Sequence, residues 1–223
     1  YSDTLFSIVE PEDIRWVFIS HDDVDHTGNL NELMALAPNA TVIVNWFMQE
    51  RMGASLGVSP LRQRWVMDGE RIDVGDRTLV TVRPPVYDSP TTRGLFDPTT
   101  GVYWASDAFA APMPTPVHDV AELDEEFWTQ MVAGFSQALS PWIMIADDRK
   151  YQATVDRIAA LGASTIASCH SQLTARRLQR DGAAAEGHQP LALDISGMKV
   201  HRRRGRVLLA AATSGANTSR LSP

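Results

Sequence analysis

The protein has 223 residues, of which 44% are hydrophobic and 21% are charged, and its formal net charge is -7. This composition is typical of a soluble globular chain, excludes a disordered or fibrous one, and makes nucleic acid an unlikely partner. The longest uninterrupted apolar run, residues 207–212, is far shorter than the roughly 20 residues that cross a bilayer, so no membrane span is expected. A lone cysteine, Cys169, excludes an intrachain disulfide and fits a reducing compartment, which leads us to expect a cytoplasmic location.

Apolar runs of strand length recur along the first three quarters of the chain, separated by turn residues and by stretches with helical spacing. The first run has four consecutive apolar residues, 16–19, which predicts burial on both faces of that strand. The runs predict strands at residues 14–19, 41–46, 78–82, 101–106 and 164–168.

Helical spacing predicts three helices between these strands, at residues 29–36, 119–139 and 150–161. In the second helix, Asp119 is the expected N-cap, followed three residues later by Glu122. Its apolar side chains recur every fourth residue and are expected to face the core: Leu123, Phe127, Met131, Phe135 and Leu139. Gly162 is expected to close the third helix. The alternation of strands and helices predicts a mixed α/β fold.

The composition changes near residue 181. After Asp194 the chain contains no carboxylate but still has five arginines and one lysine, and its last ten residues are mostly small or polar. We therefore expect one folded domain over residues 1–181 and a basic, loosely ordered tail over residues 182–223.

The densest chemical signal is the motif His21-x-Asp23-x-Asp25-His26, which follows the first predicted strand. With Asp22, the motif puts three carboxylates on one loop, where they repel each other unless a cation neutralises them. Imidazole and carboxylate groups together suit iron, manganese or zinc. The motif therefore predicts a metal site.

Three further polar residues, Asp88, Asp107 and His170, lie past the carboxyl ends of predicted strands, where α/β proteins build their sites. Each also has a structural interpretation: Asp107 as a turn cap, Asp88 in an Asx turn, and His170 as a strand-end hydrogen-bonding group. Taken together, they predict a site that includes the histidine motif. The other histidines, at positions 118, 188 and 201, are assigned no role.

The residues from His21 to Gly28 resemble the ligand motif of the metallo-β-lactamase superfamily. The acidic residue at Asp23 resembles the di-iron branch of that superfamily, which includes flavodiiron and oxygen-binding di-iron proteins. The resemblance covers roughly residues 14–173. Further similar segments follow in the family's order, at residues 88–90, 96–98, 104–109 and 168–171.

The resemblance implies two metal ions, with iron as the expected metal and manganese or zinc as alternatives. It implies that His21, Asp23 and Asp88 hold the first metal. Asp25, His26 and His170 would hold the second, with Asp107 bridging both. The family normally has histidine where this chain has Asp88. A site with three carboxylates and one imidazole is a harder donor set, which favours iron, manganese or magnesium over zinc.

The resemblance also implies an αββα sandwich in which several strands precede the first motif. Only 20 residues precede His21 here, so we expect that these strands are missing from the sequence or that another chain completes the sheet. Flavodiiron proteins carry a flavodoxin-like domain after the metal domain. The 53 residues after His170 are too few for one, so no flavin is expected in this chain.

The leading functional hypothesis is a di-iron protein that binds or reduces dioxygen or nitric oxide, with electrons from a separate partner protein. A carboxylate at Asp23 stabilises ferric charge better than imidazole does, which favours iron and redox chemistry. A homodimer is among the expected forms.

Two other functions stay open. The first is a metal-dependent hydrolase of an ester, thioester, lactone or phosphodiester, in which Asp107 or Asp25 positions a hydroxide. Its substrate pocket would be lined by aromatic side chains that otherwise pack in the core: Trp46, Phe47, Tyr87 and Phe109. The second is a non-catalytic oxygen sensor that signals through a partner.

Overall fold

The computed structural model describes residues 1–113, 117, 120–171, 174–175, 199–203 and 206–210. Six α-helices are present in this part of the chain: α1 Ser2–Phe6, α2 Val24–Thr27, α3 Leu30–Leu36, α4 Trp46–Met52, α5 Glu125–Leu139 and α6 Asp148–Ala159. The strands are β1 Trp16–Phe18, β2 Thr41–Asn45, β3 Gln63–Val66, β4 Arg71–Asp73, β5 Thr78–Val82, β6 Gly94–Asp97, β7 Val102–Trp104, β8 Thr165–Ala167, β9 Thr174–Ala175, β10 Lys199–Arg203 and β11 Arg206–Ala210.

The strands form two main sheets. In the first, β1, β2 and β3 are parallel and lie in that order. In the second, β4 to β9 lie in chain order and pair antiparallel, except that β7 and β8 are parallel. β10 and β11 form a separate antiparallel hairpin beside α5.

Helices cover the outer face of each sheet. The three-stranded sheet packs on α3 and α4 through buried residues that include Val42, Val44 and Met48. The six-stranded sheet packs on α5 and α6 through a larger cluster that includes Tyr103 and Val155. A smaller cluster joins the sheets to each other: Ile43, Val66 and Ile72, with Phe18, Val74 and Leu95 against them. The four layers confirm the predicted α/β αββα sandwich.

Most predicted elements are present with shifted ends. α3 and β5 match their predictions closely, whereas β1, β7 and β8 are each reduced to three residues because the chain leaves the sheet to form a loop. The sequence did not predict β3, β4 or β6, since these strands are short and mix charged with apolar residues. α6 begins at its cap Asp147, whose carboxylate accepts hydrogen bonds from two backbone amides, and Gly162 follows it with φ +66°.

Two detailed predictions were wrong. β1 is not buried on both faces, because it lies at the edge of its sheet; Trp16 is exposed, and Val17 and Phe18 are half-buried. The second long helix starts at Glu125, where Asp124 accepts a hydrogen bond from the amide of Phe127. Residues 120–122 form a separate 3-10 turn instead.

Only part of the predicted apolar stripe of α5 packs against the core. Met131 and Leu139 pack against the larger cluster, but Phe127 is 45% exposed. The buried line along the helix is Val132, Ala133 and Ser136, so the stripe lies along one flank of the buried face rather than at its centre.

Several predictions fall on residues outside the described part of the chain. These include the domain boundary at residue 181 and most of the basic tail, of which only the β10–β11 hairpin is described; residue 119 itself also lies outside the described part. The loose ordering of that tail stays a prediction. No helix within the described residues is long and apolar enough to span a membrane.

Candidate metal centre

The histidine motif leaves the first sheet at the end of β1. His21 is completely buried in the extended segment after the strand, and Asp23 then precedes the single turn α2. That turn contains Asp25 and His26, so it brings both back beside His21; the two imidazole rings lie 4.0 Å apart. One short loop therefore presents all four side chains of the motif.

The remaining three side chains come from loops of the second sheet. Asp88 lies between β5 and β6, Asp107 follows β7, and His170 follows β8. Because β7 and β8 are paired and parallel, with Trp104 opposite Ala167, the loops after them leave the sheet at the same edge. Both sheets therefore end at a common site.

All seven predicted residues meet there. Within the described residues, three groups have potential ligand atoms that lie within 4.8 Å of one another: His21 with Asp23 and Asp88; Asp25 with His26 and His170; and His21 with His26 and Asp107. The first two groups are the two ligand sets implied by the family resemblance. Their role as metal ligands remains a proposal, argued below.

Asp107 lies between the two ligand sets. Its Oδ2 is 3.5 Å from Nε2 of His21, in the first set. Its Oδ1 is 3.2 Å from Nε2 of His26 and 3.7 Å from Nε2 of His170, in the second set. Each carboxylate oxygen therefore faces a different set, as a bridging carboxylate requires.

Within each set the separations are similar. Nε2 of His21 is 3.7 Å from Asp23 Oδ2 and 3.8 Å from Asp88 Oδ2. On the other side, Asp25 Oδ2 is 3.4 Å from Nε2 of both His26 and His170.

The residues present fit a bound cation. Three buried atoms at the centre of the site have no hydrogen-bond partner within the described part of the chain: His21 Nε2, His26 Nε2 and Asp107 Oδ1. Burying an unpartnered polar atom costs about 1–3 kcal/mol, and such atoms are rare in folded proteins. Imidazole and carboxylate atoms that converge in this way can ligate a metal, which supplies the missing partner.

The Nδ1 atoms of His21 and His26, which face away from the cluster, contact other side chains. Nδ1 of His21 lies 3.1 Å from both the Ser20 and Ser106 hydroxyls. Nδ1 of His26 lies 3.5 Å from Ser20 Oγ and from Cys169 Sγ. These contacts orient each ring so that Nε2 faces the cluster, a common arrangement around metal-ligating histidines.

The loop that carries Asp107 is tightly constrained. Ser106 and Phe109 both have positive φ, at +57° and +61°, which is strained for residues other than glycine. The carbonyl of Ser106 accepts hydrogen bonds from the Cys169 amide and the Ser168 hydroxyl, at 2.9 and 3.0 Å. The loops of Asp107 and His170 are thereby held together.

The surroundings of the site shift the pKa values of its carboxylates in opposite directions. Burial raises the pKa of Asp107, but His26, His21 and His170 outweigh it, so the pKa falls below its usual value. Burial and the adjacent charge of Asp88 raise the pKa of Asp23. For His26, burial lowers the pKa, but Asp107 and Asp25 outweigh it and the pKa rises.

Asp22 lies between two motif residues but does not join the cluster. Its carboxylate accepts hydrogen bonds from Ser89, Thr91 and Arg51 at 2.8, 2.6 and 2.5 Å. Burial raises the pKa of Asp22, but these three donors outweigh it and the pKa falls. Asp22 therefore ties the motif loop to the Asp88 loop and to α4, a role that sequence reasoning did not find.

The aromatic residues considered for a substrate pocket are dispersed. Phe109 is buried in the larger core cluster, Tyr87 packs against Trp142, and Trp46 and Phe47 contact each other. Sequence reasoning missed Phe135 as a neighbour of the site, although its ring lies 5.9 Å from that of His170. His118 and His188 lie outside the described residues, and His201 is described only as part of a strand.

A four-layer αββα fold with this cluster at its sheet ends defines the class of metallo-β-lactamase-like proteins. The sequence matches the ODP family of β-lactamases over residues 2–171, and the chain belongs to that family. The resemblance to the di-iron branch of the superfamily is confirmed.

Curated relatives are longer proteins. The chain is 32% identical over 110 residues to a putative diflavin flavoprotein A 2 of Nostoc sp., covering 49% of this chain and 19% of the relative. It is 24% identical over 164 residues to the anaerobic nitric oxide reductase flavorubredoxin of Salmonella typhi, covering 70% and 34%. The chain thus spans about a fifth to a third of the length of such relatives.

Solved structures share the fold. Rubredoxin oxygen:oxidoreductase of Desulfovibrio gigas has a TM-score of 0.65 at 14% identity, with 77% of this chain and 42% of that chain covered. The apo state of the chemotaxis sensor ODP of T. denticola has a TM-score of 0.61 at 17% identity, with 78% and 69% covered. At these identities the two structures show the shared fold alone.

Proposed function

We propose that this protein is a di-iron protein that binds dioxygen or nitric oxide at a pair of metal ions, which the seven clustered side chains would hold. The observation that carries the proposal is the position of Asp107, whose two oxygens face two separate groups of ligand atoms. Relatives named as a nitric oxide reductase and an oxygen oxidoreductase support the choice of ligand.

The first ion would be held by His21, Asp23 and Asp88, and the second by Asp25, His26 and His170, with Asp107 shared. A pair of ferrous ions supplies affinity for dioxygen or nitric oxide and, with added electrons, the means to reduce it. The four carboxylates of the site offset the positive charge of two cations. Their number favours iron over softer metals.

The chain's own residues shape the two sides of the site differently. On the inner side, His21 and Asp107 are almost entirely buried, so bulk water is kept from these ligand atoms. On the outer side, the side chains of Asp23, Asp25 and His170 are 50%, 54% and 39% exposed. A small molecule can therefore enter from the outer side. The side chains that orient His21 and His26 limit the rearrangement of the site when the small molecule binds.

Elemental analysis and optical spectroscopy test the proposal directly. Protein loaded anaerobically with ferrous iron is expected to hold about two irons per chain and to change its absorbance when exposed to dioxygen or nitric oxide. The Asp107→Ala variant, treated identically, is the matched control and is expected to show neither. Zinc as the only bound metal, with no absorbance change in iron-loaded protein, would rule the proposal out.

Sensing is a second candidate function, favoured by membership in the ODP family and by the structural neighbour described as a chemotaxis sensor. A sensor binds the gas reversibly, whereas a reductase consumes it with electrons from a separate donor protein. Following dioxygen concentration under excess reductant separates the two. Steady consumption supports a reductase, and recovery of the original spectrum after gas removal supports a sensor.

A metal-dependent hydrolase remains the alternative from a different reaction class. The same metal-loaded protein can be assayed with lactone, thioester and phosphodiester substrates. A metal-dependent rate well above background would replace the redox proposal.

A further inference from the structure

A second concave site lies outside the ligand cluster, between the segment after β5, the 3-10 helix Pro141–Ile145 and α6. It encloses about 300 Å³, and none of the seven clustered residues lines it. This volume is at the lower end of the range for small-molecule pockets, about 300–1,000 Å³. Apolar and aromatic side chains form most of its wall: Pro84, Pro85, Tyr87, Trp142 and Tyr151.

The aromatic part of the wall is held in place by the fold. The rings of Tyr87 and Trp142 lie 5.0 Å apart. The carbonyl of Tyr87 accepts hydrogen bonds from the indole of Trp142 and from the hydroxyl of Ser140, at 2.9 and 2.6 Å. This part of the cavity is therefore formed in advance of any ligand, which reduces the entropy that binding costs.

Two residues of the lining have donors without a partner. Tyr151 is 4% exposed, and its hydroxyl has no hydrogen-bond partner within the described residues. Arg83 donates from Nη2 to the carbonyl of Pro90, but its buried Nε is likewise unpartnered in that part of the chain. Both atoms are also closed off from solvent, so a molecule in the cavity does not reach them and its recognition depends on the rest of the lining.

The charge around the cavity is mainly positive. Arg83, Lys150 and Arg157 line it, and Asp147 is the acidic residue of the lining. Asp147 is already occupied as the cap of α6, where it accepts the amides of residues 149 and 150. An anion would offset the remaining positive charge.

Residues behind the lining change this charge in both directions, since Asp68 offsets part of it and Arg93 adds to it. The carboxylate of Asp68 pairs with Arg157 at 2.7 Å and also accepts the backbone amide of Arg83. Arg93 is buried, and burial together with the nearby charge of Arg83 lowers its pKa to about 10.

We propose that this cavity binds a small organic anion with a flat apolar body. The body packs against Tyr87, Trp142 and the two prolines, and the anionic group pairs with the basic side chains of the lining, Arg83, Lys150 and Arg157. A carboxylate and a phosphate ester share this chemistry. The site is independent of the proposed metal chemistry.

Calorimetric titration of the iron-loaded full chain tests the proposal. The probes are phenylacetate and phenyl phosphate, with benzyl alcohol as a neutral probe of the same shape. At least one anion is expected to bind with a millimolar or lower Kd, about tenfold tighter than benzyl alcohol. The tighter anion identifies the headgroup as carboxylate or phosphate.

Two variants locate the binding. Lys150→Gln is expected to weaken the tighter anion about threefold, whereas Tyr151→Phe, which removes a hydroxyl that the cavity does not reach, is expected to leave its Kd unchanged. Arg149→Gln is the control, because Arg149 is exposed on the same helix but does not line the cavity. The absence of millimolar binding by either anion, equal binding of benzyl alcohol, or equal weakening by Arg149→Gln would each overturn the proposal.

Discussion

The inner and outer sides of the seven-residue site are built in different ways. On the inner side, His21 and Asp107 are buried and the side chain of His26 is only 10% exposed, and other side chains orient the two imidazole rings through their Nδ1 atoms. On the outer side, Asp23 and Asp25 are about half exposed. The fold fixes the inner geometry before any metal binds, because buried polar contacts are strong and costly to break. The positions of the exposed carboxylates on the outer side depend more on the charges around them.

Asp107 gives the strongest test of this difference, because it serves both ligand sets. Asp107→Ala is expected to lower the metal content from about two ions per chain to about none. Asp25→Ala removes an outer ligand from one set and is expected to leave about one ion. Elemental analysis of purified, iron-loaded protein measures both. Two ions retained in Asp107→Ala would show that the inner side does not hold the metals.

The serine contacts on the inner side are expected to have the next largest effect. Ser106→Ala removes one of the two hydroxyls beside Nδ1 of His21 and is expected to weaken iron binding about tenfold. Ser168→Ala is the control, since that hydroxyl contacts the carbonyl of Ser106 but neither imidazole. Competition with a chelator measures the affinity. Equal weakening in both variants would indicate a general loosening of the loops.

The adjacent carboxylates Asp22 and Asp23 are expected to affect the stability of the metal-free protein in opposite directions. Asp22→Asn breaks the charge-assisted contact with Arg51 and is expected to lower the free energy of unfolding by about 1–2 kcal/mol. Asp23→Asn removes repulsion by Asp88 and is expected to raise it by up to about 1 kcal/mol. Urea denaturation measures both. The same sign for the two variants would contradict the distinction between a structural and a metal-facing carboxylate.

The changes in free energy of unfolding caused by Asp22→Asn and Asp23→Asn are expected to depend on pH in different ways. The raised pKa of Asp23 means that its ionised form destabilises the metal-free protein, so the advantage of Asp23→Asn disappears as pH falls through that pKa. The pKa of Asp22 is lowered, so its stabilisation is present above its unfolded value of 3.8 and is lost only as pH falls through the lower folded value. Denaturation is measured at a series of falling pH values. The difference in free energy of unfolding between Asp23→Asn and the unmodified protein is expected to disappear at a higher pH than the difference for Asp22→Asn.

The smallest effect is expected at Asp88, which is less exposed than the other outer carboxylates. Asp88→His replaces one of two repelling carboxylates with a neutral ligand and is expected to tighten iron binding at the first position several-fold. Asp88→Asn removes the charge without adding an imidazole and serves as the control. Titration of ferrous iron measures the change, and unchanged occupancy in Asp88→His would show that Asp88 is not a ligand.

The ligand candidates could be predicted because their signals are local. Four of them lie within six residues, and the other three follow apolar runs that read clearly as strands. The sequence predicted the strands before Asp107 and His170 but not that these strands pair in parallel, which places the two loops at the same edge of the sheet.

Elements without a strong local pattern were missed. β3 and β4 are short and mix polar or charged residues with apolar ones, so periodicity did not mark them. At α5 the sequence predicted a cap at Asp119, whereas the helix is capped by Asp124, which was not considered. Which of several equivalent local signals is used depends on packing elsewhere in the chain.

The sequence by itself determined the chemistry available at this site: the number of imidazoles and carboxylates, and their position after apolar strands. The residue types alone could not determine which carboxylates turn toward the cluster, since Asp22 and Asp23 are adjacent and chemically identical, and only the family resemblance singled out Asp23 as an expectation. Only the tertiary structure decided this. Arg51, Ser89 and Thr91, all distant in sequence, surround Asp22 with donors, while Asp23 is left facing another carboxylate. A side chain's role follows from the partners that folding brings to it.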